Sequence, residues 1–196
     1  METKCGVCGT PLESFDAIHV AGQGPHCYSC FNREAAEQLG VQFDEPRFRP
    51  IVLTDVDGIE HTFNVRSMLV PTGYKMEAFE TAGHGTTGYY FAVLDVFDAD
   101  PWELLQRLYG KMRREIAIRH VHRTEFGWQL TSEQQLVGRI EWDSNNDGRV
   151  PIVVIDGKAF TWEQVGHMLM TFEGFTLEAR ISDAIEIVGN SHQTSS

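Results

Sequence analysis

CGVCGTPLESFDAIHVAGQGPHCYSC, running from Cys5 to Cys30, sets the architecture of the N-terminal part of this chain. It opens on Cys5-Gly6-Val7-Cys8 and closes on Cys27-Tyr28-Ser29-Cys30, and it holds all 4 cysteines of the sequence. Two residues between thiolates let a tight knuckle offer both sulfurs to one ion, and a tetrahedral ion needs two such pairs. The spacing therefore predicts one structural zinc ion held by Cys5, Cys8, Cys27 and Cys30. Three rivals share the pattern. Disulfides would need an oxidising compartment, an iron–sulfur cluster would want a redox partner domain, and a thioredoxin-like motif would occur once, between a strand and a helix.

The residues around the cysteines suggest the kind of finger. Gly6 and Gly9 permit a knuckle about the first pair, Phe15 to Val20 reads as a strand, and Ala21 to Pro25 reads as the turn out of it. After Cys30, Phe31 to Leu39 is a good helix that stops at Gly40. A knuckle followed by a second pair at a helix start resembles the treble-clef zinc fingers over residues 5–40. That resemblance implies a metal-held fold and no activity. Four thiolates saturate zinc, so no open position remains for water or substrate. His26 is a weaker substitute ligand beside Cys27.

The chain has 196 residues, enough for one domain plus a small accessory module. Its 42% apolar content, with Phe 12, Tyr 5 and Trp 4, is that of a globular protein. No apolar run approaches a membrane span, and no basic start with an apolar stretch precedes Cys5, so a cytoplasmic protein without membrane partners is expected. The net charge of −12 disfavours non-specific attraction to nucleic acid or anionic lipid.

Residues 1–43 read as the finger, 44–50 as a proline-punctuated linker, 51–187 as a single α+β domain and 188–196 as a flexible tail. Within the domain, strands are expected at Ile51–Thr54, Ile59–Val65, Tyr74–Thr81 and Tyr89–Phe97. Asp100, Pro101 and Glu103 then open a helix whose apolar stripe is Leu104, Leu105, Leu108, Tyr109, Met112 and Ile116. Strands follow at Phe126–Thr131 and Leu136–Trp142. Asp156-Gly157 marks a hairpin between Val150–Ile155 and Lys158–Phe160. Thr161 and Gln164 cap a second helix reaching Gly174, and Phe175–Ile181 is expected as a last strand. The expected fold is an antiparallel sheet with these two helices on one face. The region resembles uncharacterised bacterial domains, a likeness to which no activity attaches.

Four further features stand out. Asp143-Ser144-Asn145-Asn146-Asp147-Gly148 starts like a calcium loop, but Val154 stands where a bidentate glutamate belongs. Gly83-His84-Gly85-Thr86-Thr87-Gly88 has the composition of a phosphate cradle but leads into a strand rather than a helix. His120 and His122 lack a third ligand at suitable spacing. Arg107, Lys111, Arg113 and Arg114, with Arg119 and Arg123, make a basic strip over residues 101–123, readable as a docking face or as a counterweight to the acidic residues 95–100. Three functions remain open. The first is a non-catalytic adaptor or regulator with a protein partner. The second is a nucleic-acid binder using the finger and the basic helix, and the third is an enzyme with a dispersed site.

Overall fold

The computed structural model describes residues 3–13, 16–80, 88–143, 146 and 148–187. The expected tail at 188–196, most of the Gly83–Gly88 loop and three positions of the Asp143–Gly148 loop lie outside the described residues. The fold is mixed α+β with three helices among the described residues and mostly antiparallel sheets.

The N-terminal module comprises β1 (Thr3–Lys4), β2 (Pro11–Leu12), β3 (Ile18–Val20), β4 (Gly24–His26) and α1 (Tyr28–Leu39). β1 pairs with β2 and β3 with β4, both antiparallel. Cys27 caps α1, its sulfur accepting from the Cys30 N–H, and Gly40 ends the helix at φ 67° with its N–H on the Ala36 carbonyl. Glycine adopts that left-handed conformation without the Cβ clash other residues suffer.

Next come β5 (Ile51–Thr54), β6 (Glu60–Val70), β7 (Gly73–Glu80), β8 (Tyr90–Asp95) and α2 (Pro101–Ile116). The Asp100 carboxylate caps α2 by accepting from the N–H groups of Trp102 and Glu103. A third group follows: β9 (Val121–Thr124), β10 (Gly127–Leu130), β11 (Arg139–Glu141), β12 (Ile152–Ile155), β13 (Lys158–Thr161), α3 (Trp162–Met170) and β14 (Ile185–Ile187). Asp156 and Gly157 take positive φ, 49° and 70°, in the β12–β13 turn. Thr161 and Gln164 form the reciprocal capping box of α3.

The elements gather around two hydrophobic clusters rather than one. The five-stranded sheet β14-β8-β7-β6-β5 carries the first, in which Phe63, Leu69, Tyr74, Met76, Phe91 and Val93 meet Leu104, Leu108, Met112 and Ile116 of α2. Ala35 and Ala36 of α1 pack on this same cluster. The second cluster is Val121, Leu130, Val153, Ile155, Phe160, Val165 and Met168, built from β9, β10, β12, β13 and α3.

Several expectations are corrected. The two later helices do not share one face: α2 packs on the five-stranded sheet, α3 on the second cluster, and α1 is the helix that joins α2. Phe175–Ile181 forms no strand, and its large apolar side chains are exposed. The last strand is β14, further on and parallel to β8, as a chain returning after a long excursion can be. The basic helix stops at Ile116 instead of reaching residue 123. Beyond it, the Asp156 carboxylate accepts the N–H groups of His120 and Val121, which a continuing helix would have used itself. Residues 44–50 have no regular structure, yet Phe48 packs on the first cluster and on Trp102.

Candidate metal centre

Cys5 and Cys8 flank the turn between β1 and β2, while Cys27 and Cys30 sit at the cap and first turn of α1. Sequence-distant pairs meet because the Gly6 N–H donates to the Pro25 carbonyl at 2.8 Å and the Cys27 N–H donates to Cys5 Sγ at 3.3 Å. All four Sγ atoms lie within 4.8 Å of one another, and no disulfide joins them.

The spacing suits a single ion. Metal–sulfur bonds of about 2.3 Å in a tetrahedron put sulfurs about 3.8 Å apart, and Cys8 Sγ stands 3.7 Å from Cys27 Sγ. Thiolates on separate irons of a cluster would have to stand wider. The four sulfurs can therefore hold one metal ion.

Electrostatics separate the four thiols. Burial raises Cys5, but the backbone N–H groups of Cys8, Cys27 and Val7 outweigh it and bring the thiol down to about 6. Cys8 is lowered, chiefly by the Thr10 hydroxyl at 3.2 Å. Burial raises Cys27 and pushes Cys30 up to about 12, where the neighbouring sulfurs add to the effect. Fold donors thus favour the first thiolates and burial opposes the last, so a cation is what allows all four to be deprotonated together. Arg33 adds a donor to Cys30 Sγ at 3.7 Å. His26 is turned away from ligand duty: it is buried, with Nδ1 3.1 Å from the Gly24 carbonyl and Nε2 3.4 Å from a Glu34 oxygen.

The module is bolted to the sheet by residues that carry no sequence motif. Asn32 is 1% exposed; its Nδ2 donates to the Ser67 carbonyl at 2.9 Å and its Oδ1 accepts from the Leu69 N–H at 3.0 Å. Glu45 braces the pair, accepting from Asn32 Nδ2 at 3.3 Å and from the Ser29 hydroxyl at 2.5 Å. A buried asparagine in a helix was the one available signal, and its partners lie too far along the chain to be read.

The basic strip is largely engaged within the protein. Arg107 bonds Asp95 at 2.7 Å, and Arg114 reaches Glu186 at 3.3 Å. Lys111, expected on an open face, is buried instead, because its Nζ donates to the carbonyls of Ala92 at 3.1 Å and Ala184 at 2.7 Å. Arg113 is exposed. Of the histidine pair, His120 holds the Asp156 carboxylate through Nδ1 at 2.8 Å, and His122 lies in β9 opposite Gln129. No helix is long and apolar enough to cross a membrane among the described residues.

Comparison with known proteins finds three family profiles along the chain. Each is described as a domain of unknown function: DUF7685 over residues 4–42, DUF7686 over 44–117 and DUF7713 over 120–186. No curated protein and no solved structure matches. In three successive pieces the chain is similar to three families of unknown function, the first of which spans all four clustered cysteines.

Proposed function

We propose that this is a non-catalytic, zinc-containing adaptor or regulatory protein whose partner is another protein. The observation that carries the metal half is the closure of four sulfurs around one point, which leaves a tetrahedral zinc no position for substrate. Bound there, zinc would neutralise clustered thiolates and hold the knuckle to the start of α1. The order of knuckle, hairpin and helix supports a treble-clef-like reading of residues 3–39.

The partner half is supported by apolar surface on the third group of elements. Glu141 and Thr161 both pair with Ile152, so Trp142 and Trp162, the next residues, flank the same end of β12. They are 68% and 54% exposed, and Ile140 is exposed beside them. Exposed tryptophans at one sheet end are the side chains that anchor protein interfaces. The test is capture of interacting proteins from native lysate by the full chain and by a Trp142→Ser/Trp162→Ser variant, after both are shown to fold and to carry one zinc. A partner kept by the parent and lost by the variant supports the proposal. No retained partner, or equal retention by both, contradicts it.

A further inference from the structure

The β6 strand is longer than the partner on one of its sides. β5 pairs with Glu60–Phe63 only, whereas β7 pairs with Phe63–Val70. Beyond Phe63, the side of β6 away from β7 is met by α1, and the Asn32 amide takes up the Ser67 carbonyl and the Leu69 N–H as a neighbouring strand would. One side chain thus stands in for a ladder. Once uncovered, the Ser67 carbonyl and the Leu69 N–H are the groups that an added strand would take up.

Apart from the Asn32 and Ser29 hydrogen bonds and the Tyr28 ring beside Arg66, α1 brings little of its own to hold the cover. The helix has 12 residues, no acidic residue in its first turn and no basic residue in its last. A helix of that length is marginal in water unless something else fixes it. Its apolar contribution to the first cluster is the two small residues Ala35 and Ala36. Its N-terminus is fixed by the cysteine cluster, with Cys27 as cap and Cys30 two residues before Asn32.

We propose that the metal centre is a latch on the β6 edge: the bound ion holds α1 in place so that Asn32 covers Ser67–Leu69, and loss of the ion uncovers them. This rests on the reading of the four cysteines as a metal site. The state of the ion then decides whether β6 is open to strand addition, which gives the finger a regulatory use beyond holding itself together.

The experiment is residue-resolved hydrogen exchange on the full chain, with elemental analysis of the same sample before and after chelation. With the ion bound, the Leu69 amide is expected to exchange with the slow core amides. After chelation it should exchange at least about tenfold faster while Met76 and Val93, in central strands, stay protected. Asn32→Ala should speed Leu69 in the metal-loaded protein and retain the ion, which separates the amide's part from the metal's. Unchanged protection at Leu69 while residues 5–30 become labile would overturn the latch, as would a uniform rise through β7 and β8. A purified chain that takes up no ion refutes the metal reading itself, and elemental analysis shows this before any exchange is measured.

Discussion

Asn32→Leu in metal-loaded protein is the substitution that probes the docking of the finger most sharply. Leucine has a comparable size and a better helix propensity, so the change removes hydrogen bonds without emptying space or breaking α1. Three contacts vanish: to the Ser67 carbonyl, the Leu69 N–H and the Glu45 carboxylate. Asn32 is 1% exposed, so the two backbone groups of β6 stay buried without partners. Each such group costs about 1–3 kcal/mol. Allowing for partial access of water beside the helix, the loss is about 2–4 kcal/mol, a large share of the 5–15 kcal/mol typical of a folded protein. Urea denaturation reads it directly. With a slope of about 2 kcal/mol per molar, the midpoint should fall by about 1–2 M at unchanged slope. A midpoint within about 0.25 M of the parent would refute the reasoning, because the amide would then contribute no more than an ordinary surface residue.

Metal affinity should rise steeply with pH between 6 and 8, since burial holds Cys27 and Cys30 protonated and binding must expel those protons; a pH-independent affinity in a chelator competition assay would contradict this. Asp156→Asn should destabilise the second cluster by about 1–3 kcal/mol in urea titrations, because the amide oxygen can keep the N–H groups of His120 and Val121 but the NH2 that replaces the second oxygen cannot accept from His120 Nδ1, and the charge is gone. Burial opposes the charge on Asp156, but these donors outweigh it and depress its folded pKa. Its contribution is therefore present above the unfolded value of about 3.9 and lost as pH falls through the folded one, so the gap between parent and variant should close in acid. Lys111→Met should cost about 1–3 kcal/mol by thermal melts, as it strips the Ala92 and Ala184 carbonyls of a buried donor, whereas Arg113→Glu should stay within about 0.5 kcal/mol. Equal effects at both positions would mean that the strip is a uniform surface feature.

The parts of the fold legible in the sequence are those whose bonds close within a few residues. The Asp100–Pro101 start of α2, the Asp156-Gly157 turn and the Thr161–Gln164 box each state their own geometry. The two C-x2-C pairs are legible for another reason: an ion's ligand number makes distant pairs seek each other. What escaped was non-local. Lys111 reads as part of a basic strip because it stands four residues after Arg107 and three before Arg114, but it also stands three residues after Leu108, which turns it toward β8, where the Ala92 and Ala184 carbonyls take its ammonium. Phe175–Ile181 has the alternation of a strand, but alternation names no partner, and the chain pairs Ile185–Ile187 instead. Asn32 carries no pattern at all, since its partners in β6 lie 35 and 37 positions away.

The proposed function and the latch both stand on one zinc ion joining the four cysteines. X-ray absorption at the zinc edge, on protein whose metal content has been counted, tests it most directly. One zinc per chain is expected, coordinated by four sulfurs at about 2.3 Å and no nitrogen or oxygen. Iron in its place, a shell with fewer than four sulfurs, or disulfides among Cys5, Cys8, Cys27 and Cys30 would contradict it.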